Sequence, residues 1–152
     1  MNKQYEMVRE FQAIMNQPVA DKPTAMGYER QAQRYNYLNE ELIEFLEANT
    51  VVDQADAMID LIYLALGTLV EIGVQPEELF AIVHGANMSK LWPDGKVHTN
   101  PETGKVMKPP TFVRPEPLLE AEIKRQSLEA LVSKITPENR HSYIELDEEA
   151  GE

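Results

Sequence analysis

Up to about residue 90 the hydrophobic positions of this chain recur with a helical period, and no segment repeats another. Val8, Phe11, Ile14 and Met15 form the apolar stripe of a first helix expected over 2–16. QPVADKPT follows, punctuated by Pro18 and Pro23, and reads as a loop. A second helix is expected from about 28 to 48, with Leu38, Leu42, Phe45 and Leu46 on one side, where they should meet a core. The third spans about 51–73 and ends at Gly73, a residue suited to a helix C-terminus. The fourth opens on Pro76 and covers PEELFAIVHGANMSKL. The texture then changes to PDGKVHTNPETGKVMKPPTF, in which KVHT and KVMK flank NPETG, so the segment near 93–114 is irregular or a short hairpin. A last helix is expected from 117 to about 135, ended by Pro137, and ENRHSYIELDEEAGE forms an acidic tail that is mobile or docks on a partner subunit. The expected fold class is all-α, a bundle of four or five helices, with a helical domain over 1–126 and the helix end and tail over 127–152.

Composition narrows the partners. A chain of 152 residues is long enough for one domain with a core. It has no cysteine, which removes disulfides and thiolate metal ligands and suits a reducing compartment. A formal net charge of −12 argues against a nucleic-acid polymer or an anionic membrane surface as partner. A small anion stays compatible if divalent cations lie between it and the acids. The N-terminal MNKQYEMVREFQ has no apolar signal core. The one stretch long enough to span a membrane, 55–74, carries Asp56, Asp60 and Glu71. A soluble, cytoplasmic protein is expected.

The acids themselves are placed unusually. In EELIEFLE, Glu40, Glu41 and Glu44 fall within roughly 100° of arc on a helical wheel. Alone, such a face is most often simply solvated. The third helix is different: between Ala57 and Val70 its only formal charge is Asp60, with Asp56 one turn and Asp53 two turns before it, all within about 60° of arc. An unpaired carboxylate in an apolar setting needs compensation or takes up a proton. No Lys or Arg occurs between Arg34 and Lys90, so a cation from outside the chain is the simpler compensation. The short ANTVV connection makes the two helices antiparallel neighbours, able to aim both acid sets at one point. Hard oxygen donors there suit Mg²⁺ or Mn²⁺. The competing reading is an Asp stripe that meets solvent or a subunit groove.

EELIE at 40–44, followed by DAMIDLIYLALG at 56–67, resembles the signature of the all-α nucleoside triphosphate pyrophosphohydrolase superfamily, which includes MazG-like enzymes, dimeric dUTPases and phosphoribosyl-ATP pyrophosphatases. ADAMIDLIYLALGTLVEIGV with HGANMSKLWPDGKV resembles the MazG-like subgroup in particular, and the likeness extends over roughly 5–125. One position departs: the family's ExxD would place an acid at 57, where this chain has Ala57, leaving Asp56 to reach the site from one turn before Asp60.

The resemblance implies Mg²⁺ between carboxylates and triphosphate oxygens, and in-line attack by water at the α-phosphorus to give a nucleoside monophosphate and pyrophosphate. It implies Glu41, Glu44 and Asp60 as metal ligands, with Asp56 as a fourth. Glu40 and Glu41 are the catalytic candidates, Glu40 as a ligand or as the base that orients the water. It also implies a house-cleaning role on the nucleotide pool, and a homodimer or homotetramer with active sites near subunit contacts. Asn87 and Lys90 in NMSK share one helix face and are phosphate-binding candidates, with Lys96 beyond them. Lys105, Lys108 and Arg114 follow in the loop as a lid or, more often, as solvated residues. Phe11, Gln12, Asn16, Tyr35 and Tyr63 are weaker candidates for contacting a base, since aromatics at helical spacing usually belong to a core. His84, His98 and His141 show no metal spacing, and Trp92 is expected to pack at a domain edge. Two rivals remain: a nucleotide- or metal-binding oligomer without turnover, acting as a sensor or interaction module, and a purely structural helical oligomer.

Overall fold

The structure, a computed structural model, describes residues 1–135. It contains α1 (Asn2–Ile14), α2 (Tyr28–Glu47), α3 (Val51–Glu71), α4 (Pro76–Met88) and α5 (Glu116–Val132), so the all-α class and the five helices are as expected, with ends within a few residues. Between α4 and α5 the expected hairpin is reduced to one antiparallel bridge, Thr99 to Val106. Its neighbours close it: Asn100 N–H donates to the Lys105 carbonyl and Met107 N–H to that of His98. The acidic tail, Pro137 and His141 lie outside the described residues.

Both ends of α3 are fixed by local chemistry. At its start the Thr50 hydroxyl oxygen accepts from Asp53 N–H and its O–H donates to Asp53 Oδ2 at 2.7 Å, a cap that ties up orphan groups of the first turn. At its end Gly73 N–H reaches the Val70 carbonyl and Val74 N–H the Leu69 carbonyl, the double closure of a left-handed terminus. Gly73 has φ +68°, and a Cβ there would stand 2.3 Å from the Lys22 carbonyl oxygen. Glycine is therefore required twice at this position, by backbone conformation and by the loop packed on it.

α3 packs along α2 on one side and α1 on another, while α4 packs on α5 and on α1. The closed core is small: Tyr5 and Val8 of α1 against Leu66 and Val70 of α3, sealed by Val19 and Leu69. All the α3 residues of this core belong to its C-terminal half. The α2–α3 pair extends well past α1, since α2 and α3 have 20 and 21 residues and α1 has 13. One expectation is corrected here. Leu42, Phe45 and Leu46 do not face a core within this chain; all three are exposed, Leu46 by 83%. Val51, Val52, Ile59 and Ile62 of α3 are exposed with them, so the most apolar helix is closed over only part of its length. Among the described residues no single helix is long and apolar enough to cross a membrane.

Candidate active site

Ala48, Asn49 and Thr50 alone join α2 to α3, and this short link sets the pair antiparallel. Their register is fixed at the far end by Arg34. Its Nε donates to Thr68 Oγ1 at 2.9 Å and its Nη2 to the Leu64 carbonyl. Glu71, with a side chain only 2% exposed, receives Arg30 through two bonds of 2.7 Å and has Arg34 Nη1 at 3.4 Å. With residue 34 opposite 64–68, one face of α2 reads Arg34, Tyr37, Glu41, Glu44 toward the connection, and α3 answers with Gly67, Tyr63 and Leu64, Asp60, Asp56. Basic and aromatic residues line one end of the groove and carboxylates the other.

At the acidic end Glu41 is the central group. It is partly buried, and its Oε2 is out of contact with solvent and has no hydrogen-bond partner. Burial raises its pKa above the ordinary value of 4.5, and Glu44, Asp60, Glu40 and Asp56, in that order, raise it further by repulsion. These are the five acids singled out from sequence, and the structure gathers them around Glu41. Asp53 belongs to the helix cap instead. Among the described residues none of the five is paired with a Lys or Arg, because the two arginines of α2 nearest them are committed to Glu71. Among those residues, too, no three His, Asp or Glu side chains stand close enough together to hold a metal as they are. The donor set nevertheless fits a hard divalent cation: it offers only carboxylate oxygens, one of them buried and unsatisfied, and among the described residues no Lys or Arg pairs with them. The neutralising arginine pair at Glu71 was not read from the sequence; the signal present was that Arg30 and Arg34 lie one turn apart on α2.

The phosphate candidates divide. Asn87 and Lys90 line one cavity of about 490 Å³ together with Lys108, Phe112, Arg114 and Glu116. Lys90 Nζ donates to Asn87 Oδ1 at 2.7 Å, and the Lys108 ammonium lies 4.5 Å from the centre of the Phe112 ring. Lys96 does not line this cavity; it sits in the turn at Asp94, to which its backbone N–H donates. The Asp94 side chain stabilises that turn further by binding His98 Nε2 at 2.9 Å. None of the five acids lines this cavity within the chain. Of the base candidates, Phe11, Gln12 and Tyr63 share a cavity at the basic, aromatic end of the α2–α3 groove, whereas Asn16 and Tyr35 do not line it.

No curated protein matches the chain. Among solved structures, a candidate NTP pyrophosphohydrolase from Exiguobacterium sp. 255-15 is 31% identical, over 83% of this chain and 96% of its own, with a TM-score of 0.49. The family described as phosphoribosyl-ATP pyrophosphohydrolase matches residues 8–87, from the middle of α1 through Asn87 in α4, and so takes in all five acids. That match covers more than half of the 152 residues, and the chain belongs to the phosphoribosyl-ATP pyrophosphohydrolase family.

Proposed function

We propose that this pyrophosphohydrolase is a divalent-metal-dependent enzyme acting on nucleoside triphosphates, releasing a nucleoside monophosphate and pyrophosphate. The observation that carries the reading is Glu41: a partly buried carboxylate with one unsatisfied oxygen, repelled by four other acids and paired with no Lys or Arg among the described residues. Glu41, Glu44, Asp60 and Asp56 would hold Mg²⁺ or Mn²⁺, Asp56 in place of the acid absent at Ala57. A bound divalent ion supplies charge neutralisation and Lewis acidity toward the phosphate oxygens. Glu40, exposed and next to Glu41 in sequence, would orient a water and take its proton. Asn87 and Lys90 would hold phosphate oxygens, joined by Lys108 and Arg114 of the same cavity rather than by Lys96.

The exposed apolar stretch of α2 and α3 supports a homodimer or homotetramer. Leu46, Val51 and Val52 are 83%, 81% and 76% exposed around one helix connection, a patch that pairing of copies would cover. House-cleaning of the nucleotide pool in the cytoplasm is the role that fits the family and the cysteine-free, acidic chain.

The test is pyrophosphate release from a panel of standard and modified nucleoside triphosphates with Mg²⁺, Mn²⁺ or EDTA, beside Glu41→Gln. Metal-dependent release that the variant loses supports the reading. Absence of release from every nucleotide, while metal still raises the melting temperature, would replace it with the sensor.

A further inference from the structure

The acids of the candidate site are split between two helices, Glu40, Glu41 and Glu44 on α2 and Asp56 and Asp60 on α3. A cation shared between them depends on how α2 is set along α3. Among the described residues α3 is the one helix on which α2 packs extensively, since α1 packs on α3 and α4, and α4 on α5. The setting therefore comes from the α2–α3 pair itself. Hydrogen bonds between the two helices are confined to one end, where Arg30 binds Glu71 and Arg34 binds Thr68 and Leu64. Between Arg34 and the link at 48–50, no hydrogen bond or ion pair joins α2 to α3 among the described residues. That stretch holds the five acids, four of which repel Glu41.

Arg34 grips α3 at two points. Its Nε–H donates to Thr68 Oγ1 at 2.9 Å and its Nη2–H to the Leu64 carbonyl, so one edge of the guanidinium spans a turn of the helix. Thr68 closes the triangle, its O–H donating to the same Leu64 carbonyl at 3.0 Å. That carbonyl belongs to the main chain, and no change of rotamer moves it. Leu64 follows Asp60 by four residues and Arg34 precedes Glu41 by seven, about 6 Å and about 10 Å along the two helix axes. Gly67 makes room for the grip. A Cβ there would stand 3.0 Å from Arg34 Nη2 and 2.8 Å from Gln12 Oε1, a buried oxygen with no hydrogen-bond partner. The Arg34 side chain is 9% exposed, so packing also limits its rotamers.

We infer that Arg34 and Thr68 are positioning residues of the acid site. Their contact fixes the axial setting of α2 on α3. It thereby sets Glu41 and Glu44 against Asp56 and Asp60, in spite of their repulsion, before a cation arrives. The inference rests on the divalent-metal reading above and adds two residues that never touch the ion.

The test compares three variants of the full-length protein. Thr68→Val keeps the side-chain shape and removes both the acceptor for Arg34 and the donor to Leu64. Thr68→Ser restores the hydroxyl. Val74→Ala, beyond the end of α3 at a residue 5% exposed, destabilises the fold without touching the contact. Mn²⁺ binding would be followed by electron paramagnetic resonance at a temperature where circular dichroism shows every variant folded. Thr68→Val should weaken binding about tenfold, the scale of losing support behind a metal ligand. Thr68→Ser and Val74→Ala should bind as the wild type does, although Val74→Ala melts lower. Should Thr68→Val fail to fold, Arg34→Lys takes its place with the same expected loss, since Lys keeps the charge beside Glu71 and lacks the two-donor edge. Equal binding by wild type and Thr68→Val overturns the inference and leaves the metal reading standing. A loss that Thr68→Ser does not restore, or that Val74→Ala shares, also overturns it. Absence of saturable binding in the wild type overturns the metal reading and the inference together.

Discussion

Glu71 and Glu41 stand on neighbouring helices, and the structure requires that neutralising them have opposite effects. Glu71 is 2% exposed in its side chain and receives Arg30 at 2.7 Å through two nitrogens, with Arg34 at 3.4 Å. Glu71→Gln would leave the Arg34 charge, 9% exposed, without its compensation. Breaking one side of a buried pair costs 3–5 kcal/mol, and because Arg30 is a quarter exposed the lower end applies, about 3 kcal/mol. For a domain of this size that lowers Tm by roughly 6–12 °C. Glu41→Gln removes a carboxylate that burial and four neighbouring acids already disfavour, so without metal it should raise Tm at neutral pH. Both variants would be melted by circular dichroism in EDTA, at one fixed protein concentration since assembly also shifts Tm. Equal and small effects, or a loss of stability on neutralising Glu41, would refute the assignment of one glutamate to the fold and the other to a cation site.

The pH dependence carries a definite sign. Glu41 is raised above 4.5 in the folded protein, so the fold binds more protons than the unfolded chain in the window between 4.5 and the raised value. In EDTA the stability advantage of Glu41→Gln over wild type should therefore be fully present at neutral pH and close as pH falls through that window; an advantage that grows toward acid would contradict it. Gly73→Ala and Gly104→Ala both face a φ of +68°, but only at Gly73 does the Cβ meet backbone, 2.3 Å from the Lys22 carbonyl oxygen. Denaturant melts should show about 1 kcal/mol lost at Gly104 and clearly more at Gly73. If copies pair through the open α2–α3 face as proposed, Leu46→Glu or Val52→Glu should shift the protein toward monomer in light scattering coupled to size exclusion, at unchanged helicity, because both side chains are exposed there.

Helical periodicity carried most of the fold, and Gly73 marked the end of α3 and Pro76 the start of α4. The acids were equally legible: three glutamates on one arc, two aspartates one turn apart and a three-residue link leave little choice about where they gather. What one sequence could not supply was which apolar face meets which surface. Leu42, Phe45 and Leu46 have the pattern of a core face, and the pattern is the same for a face buried by this chain or by another copy. The arginine pair on Glu71 and the orphaned oxygen of Gln12 were hidden for a related reason. The first depends on a contact between helices 41 residues apart, Arg30 to Glu71, and the second on Gly67, whose missing side chain makes room. Lys96 shows the converse: close to Lys90 in sequence, it lies in the turn at Asp94 and does not line the cavity that Lys90 lines.

The central claim, that the Glu41-centred acids form a divalent-metal site, is tested most directly by Mn²⁺ binding followed by electron paramagnetic resonance on wild type, Glu41→Gln and Asp60→Asn. The account predicts saturable binding in the wild type that both variants lose or weaken at least tenfold, with helicity unchanged. Equal Mn²⁺ binding by all three proteins, or only weak binding that rises without saturation, would contradict it.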